Sequence, residues 1–193
     1  MKLLSTLKKM KSVKRGLYVV LVFVAPLAYT PSAQAGCNDL LDFSAPKLRS
    51  GERLDFCKEF AGKALLVVNT ASQCGYTSQF ADLEKLYQDK KESLAIVGFP
   101  SNDFKQEYSD SKKVADVCYA NYGVTFSMVE PSSVKGSNAN ALFKKLAVKT
   151  GKEPGWNFNK YLISADGNKV VHFPSSVSPT GDKIASALKE FGK

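Results

Sequence analysis

The sequence predicts an α/β protein: one domain built on a mixed β-sheet with helices on both faces. Three observations predict it. Two continuous apolar runs, ALLVVN (64–69) and SLAIVGF (93–99), have strand length and are separated by a helical pattern. Two such strands joined by a helix imply a right-handed parallel crossover. Later, FNKYLISADGNKVVHF (158–173) reads as an antiparallel hairpin with Asp-Gly as a tight turn. The segment GDKIASALKEFG then places Ile184, Leu188 and Phe191 on one face of a terminal helix.

The first 35 residues stand apart from this pattern. Six of the nine surplus positive charges fall there, on Lys2, Lys8, Lys9, Lys11, Lys14 and Arg15, with no acidic residue among them. The remainder of the chain carries only three, which argues against a nucleic-acid partner. GLYVVLVFVAPLAY (16–29) follows, uncharged but short of the roughly 20 residues a membrane span needs. Ala33 and Ala35 then supply a small-residue cleavage pattern. Residues 1–35 are expected to be a secretory signal peptide, and residues 36–193 the exported, mature domain. The alternative is lipid attachment at Cys37, in QAGC. Outside the cytosol, Cys37 and Cys57 are expected to form a structural disulfide contributing about 3 kcal/mol.

Along the mature chain, Ser78 is placed to cap a helix whose Phe80, Leu83, Leu86 and Tyr87 share a face. SLAIVGF ends at Pro100, and a polar loop, SNDFKQEYSD, follows. Residues 111–121 read as a helix with Val114, Val117 and Cys118 on one side. VTFSMV (124–129) reads as a strand and NANALFKKLAVKT (138–150) as a helix. His172, the chain's one histidine, falls in the second hairpin strand, where a surface or core role is expected. With one histidine, no P-loop and no ligand cluster, no metal or other cofactor is expected.

ASQCGYT (71–77) carries the chemistry. Cys74 sits in the turn between the first parallel strand and a helix, at the carboxyl edge of the sheet where sites gather. A helix N-terminus favours a thiolate. Thr77 stands where a C-x-x-C dithiol would place its second sulfur, so the site is a single thiol with a hydroxyl neighbour. A buried core cysteine would look the same from position alone.

VVNTASQCGYT, GFPSNDF (98–104) and WNFNKYL (156–162), in that order, resemble three segments of the glutathione peroxidase family. The likeness spans about residues 37–193 and implies a thioredoxin-like fold, with a hydroperoxide substrate and a thiol donor, glutathione or a thioredoxin-like protein. By the same resemblance Cys74 is the peroxidatic residue, oxidised to sulfenic acid. The family surrounds this sulfur with Gln, Trp and Asn side chains. Trp156 and Asn157 match, and Asp103 occupies the position read as the glutamine's, either turned away or protonated as a proton donor. Trp156 also suits a core anchor and Asn157 a turn. Ser101 replaces a usual cysteine, Lys105 marks a shortened stretch, and Ser127 stands for a common proline. Cys118 matches the region of a resolving cysteine, although a core cysteine shares its apolar face. Two further readings stay open: a thiol-disulfide exchange protein, which the absent C-x-x-C opposes, and a non-catalytic redox-sensing domain. A monomer is expected.

Overall fold

The computed structural model describes residues 37–191, so the expected signal peptide lies outside the described residues. A five-stranded sheet organises them in the order β5-β4-β3-β6-β7. β3 (Ala64–Thr70) and β4 (Leu94–Pro100) are its centre, and every residue in both is buried. That is why they read as unbroken apolar runs: strands covered on both faces need no polar alternation. They pair in parallel, as does β5 (Ser127–Met128) with β4, whereas β6 (Lys160–Ile163) and β7 (Val170–Phe173) are antiparallel.

Two apolar layers sandwich this sheet. On one face Leu66 and Val68 meet Phe80, Leu83 and Leu86 of α2 (Gln79–Lys90), Val114 of α3 (Ser111–Ala115), and Ile184 and Phe191 of α5 (Asp182–Phe191). On the other, Leu65 and Val67 meet Phe56 and Phe60 of α1 (Phe56–Phe60) and Leu142, Phe143 and Leu146 of α4 (Ala141–Thr150). Edge-to-face ring contacts run through this second layer: Phe56 to Phe60 at 5.1 Å and Phe99 to Phe143 at 5.2 Å.

Several local expectations change. Ser78 is the N-cap of α2, but its side chain makes no capping bond. The turns before it already satisfy the first amides: Thr77 N–H donates to Cys74 O and Gln79 N–H to Tyr76 O. The expected helix over 111–121 is α-helical only to Ala115. Asp116–Asn121 continues as a wider π-helix with Cys118 inside it. Of the expected strand 124–129, only Ser127–Met128 pairs with β4. The hairpin is present, but its loop is longer than a two-residue turn. Ser164 N–H donates to Lys169 O, and Gly167, at φ 72°, lies inside the loop. The sequence pattern also missed a small hairpin, β1 (Ser44–Pro46) with β2 (Arg53–Asp55). Cys37 is disulfide-bonded to Cys57, with a Cα–Cα separation of 5.6 Å, joining the start of the described chain to α1.

Candidate active site

Topology brings three segments to one edge of the sheet. β3 and β4 are parallel, so the loops leaving them, 71–77 and 101–107, open on the same side. β6 runs the opposite way, so the segment entering it, 156–159, arrives there too. Cross-links follow from that proximity. Ser101 N–H donates to Thr70 O at 3.0 Å, Gln73 N–H to Gln106 O at 2.9 Å, and Phe158 N–H to Asn69 O at 2.6 Å.

Cys74 is a free cysteine, 9 % exposed, in the first of these segments. Its sulfur accepts from Tyr76 N–H at 3.4 Å. Thr77 holds the loop: its hydroxyl oxygen accepts Cys74 N–H at 3.0 Å and its proton is directed to Cys74 O at 2.7 Å. The hydroxyl that stands where a second sulfur could be therefore fixes the Cys74 backbone.

Asn157 is fully buried, and its Nδ2 donates to Gln106 Oε1 at 3.0 Å. Its Oδ1 is buried and has no hydrogen-bond partner among the described residues. An unpaired buried amide oxygen is a vacant acceptor, suited to a substrate proton. Trp156 is 42 % exposed and packs at a tilt against Phe104 at a centroid distance of 5.3 Å. It is not the core anchor that a lone tryptophan suggests. Phe158, next in the chain, adopts a left-handed φ of 59°. For a bulky residue that conformation costs on the order of 1 kcal/mol and persists only where surrounding contacts impose it.

Asp103 does not join this cluster. Its carboxylate accepts from Ser133 Oγ at 3.1 Å, Val134 N–H at 2.7 Å and Lys135 N–H at 3.1 Å, anchoring the loop before α4. Of the two alternatives posed for it, the geometry is the turned-away one, and the proton-donor role has no geometric basis. The glutamine beside Asn157 is Gln106, three residues further on. Lys105, at φ 60°, turns the chain between the two positions, and Gln106-Glu107 in the sequence was the available signal. The amide next to Asp103, Asn102, does not join the cluster either: its Oδ1 accepts Glu107 N–H at 3.2 Å.

Cys118 is 1 % exposed and shares the apolar layer that contains Cys74. Burial, and then the nearby Glu107 carboxylate, push its thiol up to about 12. Glu107 is itself buried and raised by desolvation. It accepts Ser72 N–H at 3.2 Å and Tyr108 N–H at 2.9 Å. The Cys74 loop is thus tied through Glu107 to the segment that leads to the Cys118 helix. No group of three or more potential metal ligands occurs among the described residues.

A model of the glutathione peroxidase family matches residues 40–147. A glutathione peroxidase-like peroxiredoxin of Chlamydomonas reinhardtii is 41 % identical over 151 residues, which is 72 % of this chain and 91 % of that protein. A hydroperoxy fatty acid reductase of Synechocystis is 37 % identical over 174 residues, 82 % of this chain and 98 % of its own length. Among solved structures, Trgpx in its apo form aligns with a TM-score of 0.62 at 32 % identity, covering 80 % of this chain and 95 % of that one. A thioredoxin-family thiol:disulfide interchange protein of Chlorobium tepidum aligns at 0.58 with 16 % identity, over 77 % and 92 % of the two chains, a likeness of fold alone. With three segments meeting at the sheet edge that carries Cys74 and these relatives alongside, the chain belongs to the glutathione peroxidase family of peroxidases, on a thioredoxin-like fold.

Proposed function

We propose that this protein is an exported thiol peroxidase whose peroxidatic residue is Cys74. One observation carries the reading: the Cys74 sulfur lies in the β3–α2 turn under a donating amide, with the Asn157–Gln106 amide pair at the same sheet edge. The thiolate attacks one oxygen of the hydroperoxide and the O–O bond breaks heterolytically. The departing oxygen takes up a proton and leaves as water or an alcohol, while the sulfur becomes sulfenic acid. Trp156 and the two amides supply N–H groups for the charge that develops on the leaving oxygen. The vacant Asn157 Oδ1 receives the substrate O–H.

The sulfenic acid is then reduced by thiols. Cys118 condenses with it to give a disulfide and water, and a thioredoxin-like donor reduces that disulfide. In the folded state Cys118 is buried and protonated, so resolution requires the π-helical segment to open. π-Helical turns concentrate at functional sites, which supports that segment as the moving part. If Cys118 does not resolve, glutathione attacks the sulfenic acid directly. Turnover of wild type and Cys118→Ser with each donor decides between them. Loss of thioredoxin-driven turnover in Cys118→Ser, with a trapped sulfenic acid, is the expected result. Undiminished turnover would remove Cys118 from the cycle. Thr77 in place of a second sulfur speaks against a thiol-disulfide exchange protein.

Export is supported by the charge and apolar pattern of residues 1–35 and by the Cys37–Cys57 disulfide. Lipid attachment at Cys37 would need the same sulfur. Intact mass of the protein from a fractionated bacterial host is expected to start at Gly36. A lipid-modified Cys37, or an uncleaved chain, would contradict it. The reading includes a monomer, which sedimentation of the mature chain tests.

A further inference from the structure

The Trp156–Asn157 turn is held from behind by a polar network that the peroxide chemistry does not use. Its centre is Asn159, 3 % exposed. The Asn159 Nδ2 group donates to the Trp156 carbonyl at 2.9 Å and to Ser175 Oγ at 2.9 Å. Ser175 Oγ in turn donates to the Asn157 carbonyl at 2.6 Å. Both backbone carbonyls of the pair therefore end on this network. From the nucleophile's own strand, Asn69 Nδ2 makes a second bond to the Trp156 carbonyl, at 3.0 Å, and Asn69 Oδ1 accepts Asn159 N–H at 3.0 Å.

The orientation of Asn159 is fixed by His172. With both Nδ2 protons committed, Oδ1 faces His172 Nε2 at 2.7 Å, so the imidazole carries its proton on Nε2. His172 Nδ1 is then a bare lone pair, in accord with its burial without a partner. The Ser175 segment is fastened as well: its carbonyl accepts from Gln79 Nε2 at 2.8 Å and from the buried Lys160 Nζ at 3.3 Å.

Trp156 is 42 % exposed, and its ring packs against Phe104 at a centroid distance of 5.3 Å. Phe158, immediately after the pair, is left-handed and would relax without restraint. The bonds to the Trp156 and Asn157 carbonyls restrain the pair through its backbone as well. We propose that Asn159, oriented by His172 and braced by Asn69 and Ser175, is a positioning residue that holds Trp156 and Asn157 over the Cys74 loop. This inference rests on the peroxidase reading for its kinetic consequence but not for its structural one.

The test uses the mature protein and Trp156, its one tryptophan, as the reporter. Asn159→Leu and Ser175→Ala are compared with wild type and with Ser175→Thr, which keeps the hydroxyl. The measurements are Trp emission and anisotropy, the rate of Cys74 oxidation by hydrogen peroxide, and the rate of Cys74 alkylation. Both disruptive variants are expected to lower Trp anisotropy, shift its emission and slow Cys74 oxidation by about tenfold or more. Alkylation stays unchanged, because the thiolate itself is untouched, and Ser175→Thr retains wild-type behaviour. Unchanged emission and anisotropy in Ser175→Ala would overturn the proposal, whatever happens to the rate. Should Asn159→Leu fail to fold, the Ser175 pair decides alone. If wild type does not consume peroxide, the peroxidase reading fails, and the fluorescence of the same variants still decides the positioning role.

Discussion

Cys118 and Cys74 are both free and both in the same apolar layer, yet their surroundings set them apart. Cys74 has a backbone N–H on its sulfur, whereas Cys118 is desolvated and faces the field of Glu107. Iodoacetamide added to the native protein, with the Cys37–Cys57 disulfide intact, is predicted to label Cys74 alone, and Cys118 only in denaturant. Peptide mapping checks this, and native labelling of Cys118 at a similar rate would contradict it. Asp103 and Gln106 make a second contrast. Asp103→Ala removes the acceptor for three donors in the 133–135 loop and is predicted to lower stability by about 1 kcal/mol, with peroxide reactivity nearly unchanged. Gln106→Ala is predicted to slow Cys74 oxidation by about tenfold with little effect on melting temperature. Cys74, Trp156 and Asn157 were singled out because each lies in a segment that resembles the family's, and the fold brings those segments to one sheet edge. Gln106 was signalled only by the Gln-Glu pair, since the left-handed turn at Lys105 decides which side chain of the 101–107 loop faces Asn157. Spacing along a chain does not reveal such a turn.

The elements that could be read directly are those whose burial leaves a simple pattern. β3 and β4 are covered on both faces, so they appear as apolar runs, and α2 and α5 present one apolar face each. β1 and β2 have three residues each, with a single fully buried position in each strand, too short for any period to register. The π-helical stretch over 116–121 changes the hydrogen-bond step without changing which residues are apolar, so a helix was legible and its widening was not. β5 is short, and its place depends on Gly98. A methyl group at Gly98 would meet Met128 Sδ at 2.3 Å and Cε at 2.8 Å. Gly98→Ala is therefore predicted to displace Met128 from β4 and to destabilise the protein by about 1–3 kcal/mol. Urea unfolding measures it. A neutral effect would show that the flexible thioether repacks without loss.

At the scale of the whole molecule, one buried charge gives stability a pH signature. Lys160 is fully buried on β6, and its Nζ donates to Ser175 O and to Val177 O at 2.7 Å. Burial, opposed in part by Asp82, lowers it to about 7. In the unfolded chain it keeps its proton to about 10.4. Between these values the unfolded state holds a proton that the folded state lacks, so the Lys160 contribution grows as pH rises from 7 to 10 and is lost as pH falls back through 7. Chemical denaturation of wild type and Lys160→Met across that range is predicted to show the stability difference moving by about 1 kcal/mol or more in favour of wild type. A difference independent of pH would contradict the assignment. The Cys37–Cys57 disulfide acts on the same scale by tying the start of the described domain to α1. Replacing both cysteines with serine is predicted to cost about 2–4 kcal/mol without altering Cys74 oxidation.

The central claim is that Cys74 is oxidised by hydroperoxide at a site the fold builds for it. Its most direct test is the intact mass of the mature protein after one equivalent of hydrogen peroxide, with peroxide consumption followed by stopped flow, for wild type and Cys74→Ser. Rapid consumption by wild type is predicted, with either one added oxygen or the loss of two hydrogens on formation of a Cys74–Cys118 disulfide. Cys74→Ser is predicted to show neither. Consumption that survives in Cys74→Ser, or a wild type that leaves peroxide and mass unchanged, would contradict it.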